Sequence, residues 1–169
     1  MGSCRIPKPS DPAAAARAEV VELLFVYVER LRTHFETVAQ AHDLTPVQAR
    51  VLLTLNEPLP MGTIADSLCC DPSNVTGVVA RLQERGLLIR AASPKDRRIK
   101  HLRLTPEGLR LRSTFERTLF LNVPGMKTFT RAQLAEIKEC LAMMSEGGPS
   151  TPPRPRKKTR RKARVAAPA

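Results

Sequence analysis

The chain has 169 residues, 42% hydrophobic but only 4% aromatic, with a formal net charge of +12. That length suits one compact domain with tails, and the apolar fraction suffices for a core that must be aliphatic. No apolar run approaches the roughly 20 residues that span a bilayer, and no signal-peptide segment opens the chain, so a soluble intracellular protein with no membrane partner is expected.

Residues 1–12 carry Pro7, Pro9 and Pro12 and read as a flexible N-terminal arm. From residue 13 to about 41 the pattern is helical, with Leu24, Val28, Leu31, Phe35 and Val38 on one face and Val20, Val21, Leu23 and Val26 widening it. Such a helix is about 40 Å long at 1.5 Å per residue. It carries more apolar surface than a small domain needs, so it packs either within its own chain or against a second subunit. Thr45-Pro46-Val47-Gln48 is a capping box that starts a helix over about 46–55, and Glu57-Pro58-Leu59-Pro60 breaks the chain after it.

A short helix follows, marked by Ile64, Ala65 and Leu68, then a turn, then a second helix with Asp71 as N-cap and Pro72 at its first position. Val75, Val78, Val79 and Leu82 form the apolar face of that second helix, and Gly86 closes it. Leu87–Arg90 and His101–Leu104 read as strands around a basic turn, Ser93 to Arg98. Thr105-Pro106 then starts another helix, interrupted from Asn122 to Gly125. A third capping box at Thr130 precedes Leu134, Ile137, Leu141 and Met144 at heptad spacing.

Residues 147–169 combine Gly, Pro and basic side chains and read as a disordered tail. Residues 151–169 hold eight lysines and arginines and no acid, which leaves the first 150 residues with 20 basic and 16 acidic groups. The sequence pI therefore describes mostly the tail. Charge of this kind points to a polyanionic partner without saying which face binds it.

The fold class that follows is mainly α with a small β-hairpin wing, a winged helix-turn-helix. The outward face of the second helix presents Ser73, Asn74, Thr76, Gly77, Ala80 and Arg81, small, hydrogen-bonding or cationic groups able to approach base edges in double-stranded DNA. No nucleophile–base set, metal cluster or phosphate-cradling glycine loop is present, so neither an enzyme nor a cofactor or metal is expected. Cys4, Cys69, Cys70 and Cys140 form no CxxC pair and read as reduced thiols.

Leu44-Thr45-Pro46, Ile64 to Leu68, Asp71 to Thr76, Arg81 to Leu87, Asp96-Arg97-Arg98 and Leu104-Thr105-Pro106-Glu107-Gly108 occur in this order. Together they resemble the MarR (multiple antibiotic resistance regulator) family of bacterial transcription regulators, over roughly residues 16 to 145. The resemblance implies one winged-helix domain over 13–146, with a DNA-binding head at about 45–105 and dimerisation helices at about 13–41 and 106–146. It implies that Asp96 orients Arg98 into the minor groove while Arg97 and Lys95 reach phosphates. It also implies a cytoplasmic, nucleoid-associated homodimer that binds a pseudo-palindromic operator as a repressor and responds to a small-molecule effector bound between the dimerising helices and the head. Gly77 departs from the larger polar residue expected of the family at that position, which removes one base contact and allows closer backbone approach.

Two alternatives stand beside these expectations. The tail makes a nucleoid-type structural protein, binding DNA with little sequence preference, the rival function. Cys69 and Cys70, just before the second helix, read first as small apolar fillers of the turn and second as a redox switch. His34 and His42 receive no role.

Overall fold

The structure is a computed structural model describing residues 10–69, 71–92 and 100–146. Six helices and three strands follow one another among these residues: α1 (Pro12–Ala41), α2 (Pro46–Thr54), β1 (Leu59–Pro60), α3 (Met61–Ser67), α4 (Pro72–Glu84), β2 (Leu88–Ala92), β3 (Lys100–Leu104), α5 (Pro106–Leu121) and, after a 3-10 turn at Met126–Thr128, α6 (Arg131–Glu146). The chain forms two compact units, one up to Thr128 and one from Phe129. This is a winged helix, mostly helical with a small antiparallel sheet. The expected N-terminal arm (apart from Ser10 to Pro12), Cys70, the wing tip with Lys95, Asp96, Arg97 and Arg98, and the basic tail lie outside the described residues.

Local chemistry sets most of the boundaries. Asp11 caps α1 by accepting the Ala14 N–H at 2.8 Å, one residue before Pro12 at the first helical position. At α2, the Thr45 hydroxyl accepts the Gln48 N–H and the Gln48 side chain accepts the Thr45 N–H, at 3.3 and 2.8 Å. That reciprocal bond explains why Gln48, a polar residue, is buried at no cost in unpaired groups. Thr130 and Gln133 repeat the arrangement ahead of α6. At the end of α4, Gly86 has φ +69, its N–H bonds to the Gln83 carbonyl, and the Leu87 N–H reaches back to the Leu82 carbonyl. This is a complete Schellman termination, for which glycine at the left-handed position is the natural residue.

The core of the first unit is aliphatic, as composition requires. Val38 and Ala39 from α1, Val51 and Leu52 from α2, Ile64 and Leu68, Val75, Val79 and Leu82 from α4, Leu88, Leu102 and Leu119 are buried together around one aromatic, Phe115. Phe35 and His42 meet Phe115 edge-on, with ring centroids 5.6 and 5.7 Å away. Only the C-terminal end of α1 enters this core. Its N-terminal half leaves Val20, Leu23, Phe25, Val26 and Val28 exposed, Leu23 and Phe25 by 69% and 67%. In the second unit, α6 considered alone exposes Leu141, Met143 and Met144.

The sheet departs from a plain hairpin. β2 and β3 pair antiparallel with Leu88 opposite Leu104 and Arg90 opposite Leu102, while β1 adds a third strand against β3, with Leu59 opposite Leu102. The segment expected only to break the chain therefore also forms an edge strand. Pro60 is tolerated there because an edge strand need not donate on both sides.

Candidate nucleic-acid interface

Helices α3 and α4 meet through a tight turn. Ile64, Ala65 and Leu68 fasten α3 to the core, and Val75, Val79 and Leu82 fasten α4. Because residues three and four apart share a helix face, burying that row forces Ser73, Asn74, Thr76, Gly77 and Arg81 outward, and all five are exposed. Asn74 and Arg81 stand two turns apart, about 10 Å along the axis, or roughly three base-pair steps at 3.4 Å. A Cβ added at Gly77 would meet nothing within 4 Å, so the fold does not require glycine there.

Two expectations about the turn need correction. Asp71 occupies the N-cap position with extended backbone, but its side chain makes no capping bond; the first turn is tied instead by the Asp71 carbonyl, which accepts from Asn74 at 3.0 Å and Val75 at 3.3 Å. Cys69 is exposed rather than a packed filler, and its φ of 51 places it in the left-handed region. The sharp reversal between α3 and α4 imposes that conformation, which costs a non-glycine residue about 1 kcal/mol or more.

The rear end of α4 is anchored by groups that the sequence did not single out as functional. Arg85 Nη1 donates to the Asp43 carbonyl at 2.6 Å, joining α4 to the end of α1. Arg90 Nε donates to Gln83 Oε1 at 3.1 Å, joining β2 to α4. The Thr105 hydroxyl donates to the Gly86 carbonyl at 2.7 Å, the Thr105 N–H donates to Leu87, and the Gly108 N–H donates back to the Thr105 hydroxyl. A Cβ at Gly108 would overlap the Leu87 carbonyl oxygen. The Leu104-Thr105-Pro106-Glu107-Gly108 stretch thus joins the end of the candidate recognition helix to the start of α5. The capping signature at Thr105 was visible in the sequence, whereas nothing local marked Arg85.

Both unassigned histidines span α1 to α5. His34 Nε2 donates to the Leu119 carbonyl at 2.9 Å. The Thr118 hydroxyl gives its proton to the Thr114 carbonyl, so His42 Nε2, 3.3 Å from that hydroxyl, is the donor of the pair. Beside His34 an apolar recess of about 200 Å³ is lined by Leu31, Phe35, Leu119, Phe120 and Val123. Among the described residues no group of His, Cys, Asp and Glu is placed to hold a metal ion, and no helix is long and apolar enough to cross a membrane.

This geometry agrees with what the chain is similar to. The model of the MarR family matches residues 44–100, from the residue before the α2 capping box to the first residue of β3. The HTH-type transcriptional regulator MhqR of Bacillus subtilis (strain 168) is 32% identical over 129 residues, 73% of this chain and 79% of that protein. The HTH-type transcriptional repressor MdtR of the same organism is 39% identical over 71 residues, 41% of this chain and 46% of that protein. Among solved structures, CouR from Rhodococcus jostii RHA1 bound to p-coumaroyl-CoA superposes with a TM-score of 0.64 at 22% identity, over 78% of this chain and 95% of that one, a likeness of fold.

Proposed function

The chain belongs to the MarR family of DNA-binding, repressor-type transcription regulators, and from that premise we propose that it acts in the cytoplasm as a homodimer. In this reading it binds a pseudo-palindromic operator and releases it when a small molecule binds. The observation that carries the proposal is the outward face of α4: five exposed residues with no large apolar group and a single positive charge, backed by a fully buried aliphatic row. Such a helix fits the major groove, where arginine pairs best with guanine and asparagine with adenine. Two-fold symmetry would set the two recognition helices about 34 Å apart, one turn of B-DNA.

The exposed apolar half of α1 supports the homodimer. A run holding Val20, Leu23, Phe25, Val26 and Val28 is a large patch to leave in water, and a second copy of the same helix is its natural cover. For the wing, the family pattern assigns Arg98 to the minor groove with Asp96 orienting it, and Lys95 and Arg97 to phosphates. The recess beside His34 supports the effector. At about 200 Å³ it is smaller than the 300–1,000 Å³ usual for ligand pockets, so it suits a compact, largely apolar compound, with more room only if a second protomer completes it.

The reading is tested residue by residue. Asn74→Ala and Arg81→Ala should each relax discrimination at one operator position by about 1–3 kcal/mol while leaving affinity for unrelated duplex nearly unchanged. Uniform loss on every sequence would show that these residues contact only the backbone. No loss at all would remove α4 from the interface.

A further inference from the structure

The two helices that operator binding needs most, α1 for pairing and α4 for reading bases, are joined end to end by one side chain. α1 stops in a complete Schellman motif. The Asp43 N–H bonds to the Gln40 carbonyl at 3.0 Å, the Leu44 N–H reaches back to the Ala39 carbonyl at 2.9 Å, and Asp43 holds the left-handed position with φ 54. α4 stops in the same way, with Gly86 in the left-handed position and Arg85 as the C-cap. The backbone of Arg85 is thus set by its own helix end, and its Nη1 donates to the carbonyl of Asp43 at 2.6 Å. The donor is charged and the bond is short, which places it among the stronger kinds of hydrogen bond. Aspartate tolerates left-handed backbone better than most residues, and the turn it makes fixes where that carbonyl points.

Apolar packing and this bond constrain α4 in different ways. Val75, Val79 and Leu82 share a core with Val38 and Ala39 at the end of α1, and such burial is favourable but non-directional. A hydrogen bond weakens steeply once its angle falls below ~120°, so it sets the rotation of one helix end against the other. Small rotations matter here because α1 is long. From Val28, in its exposed apolar run, to its last residue, Ala41, the axis covers about 20 Å at 1.5 Å per residue. A tilt of about 10° at the joint moves the far end of that length by about 3.4 Å, one base-pair step. We propose that Arg85 is a positioning residue for operator binding: through the Asp43 carbonyl it holds the recognition helix at a fixed angle to the dimerising helix, and so sets the half-site separation that the dimer accepts. The inference rests on the proposed two-fold operator binding with α1 in the dimer interface. Arg85 lies at the opposite end of α4 from Ser73 and Asn74. It governs spacing, whereas Asn74 and Arg81 govern sequence.

The test uses the full-length protein and a duplex carrying the inverted repeat that it selects from a random pool. Companion duplexes have one base pair added or removed between the half-sites, which shifts one half-site by about 3.4 Å and turns it by about 35°. The parent protein should bind these about 100-fold more weakly, the cost of one or two misplaced base contacts. Arg85→Met keeps the length and apolar stem of the side chain without a donor. It should narrow that penalty to about tenfold or less, and weaken binding to the correctly spaced duplex about tenfold, the low end of what a hydrogen bond to a charged group contributes. Arg85→Lys retains a charged donor and should restore at least about half of the lost discrimination on a logarithmic scale; no recovery would overturn the proposal. Asp43→Asn keeps the carbonyl and the left-handed turn without the charge, and should match the parent. A loss there as large as in Arg85→Met would assign the effect to the carboxylate and overturn the proposal too. So would an Arg85→Met protein that is equally weakened on every duplex with a shallower salt dependence, the mark of a lost phosphate contact. A parent with no spacing preference would sink the operator reading and this inference with it, whereas a spacing preference that survives Arg85→Met intact would overturn this inference alone.

Discussion

Replacing Gly77 with alanine separates what the fold wants from what DNA contact wants. Glycine in a helix interior is less favourable than alanine by about 1 kcal/mol. A Cβ at position 77 meets no atom within 4 Å, so no steric penalty offsets the gain. The variant should unfold about 2–4 °C higher, the shift expected of ~1 kcal/mol in a domain of this size. On DNA the same methyl group would sit on the face between Asn74 and Arg81, where the backbone is argued to approach base edges. If close approach is the reason for the glycine, each half-site loses about 1–3 kcal/mol, the usual cost of one mismatched position. A symmetric operator then loses about 2–6 kcal/mol, roughly 30-fold to 10⁴-fold in affinity. Differential scanning calorimetry and fluorescence anisotropy on one protein preparation give both numbers. A higher melting temperature with operator affinity unchanged within about twofold would refute the close-approach argument; a lower melting temperature would refute the stability argument.

Two other substitutions probe the joints around α4. Gly108→Ala should destabilise the protein by several kcal/mol, or prevent folding, because the new Cβ collides with the Leu87 backbone and not with a side chain that can move; a denaturant midpoint equal to that of the parent would show that the α4–α5 junction is looser than described. Cys69→Gly should stabilise by about 1 kcal/mol, since glycine adopts the left-handed turn without strain, and chemical denaturation resolves a change of that size, with destabilisation as the contrary result.

Much of the fold was legible because its signals are local. The buried row of α4, the capping boxes at Thr45 and Thr130, and the glycine stop at Gly86 each lie within a few residues of what they bond, so spacing alone reveals them. The edge strand at Leu59–Pro60 escaped because two residues have no period to read. Its existence depends on β3, some forty positions later. The exposure of Cys69 escaped for a related reason: a cysteine forced into left-handed backbone looks in sequence like any small apolar filler. The anchors Arg85 to Asp43 and His34 to Leu119 join positions 42 and 85 residues apart, and one arginine or histidine on a surface carries no mark of its partner. For the candidate site, the outward set on α4 followed directly from the inward set. The DNA-contacting role of the wing came instead from family likeness, and its residues lie outside the described part of the chain.

The central claim, a two-fold symmetric and sequence-specific DNA reader, is tested most directly by selecting bound duplexes from a random or genomic pool with the purified full-length protein at about physiological salt. An inverted repeat whose half-site centres lie one helical turn apart, about 10 base pairs, is the predicted result. Broad recovery of DNA with no shared motif would contradict the account and make the protein a structural coat for DNA.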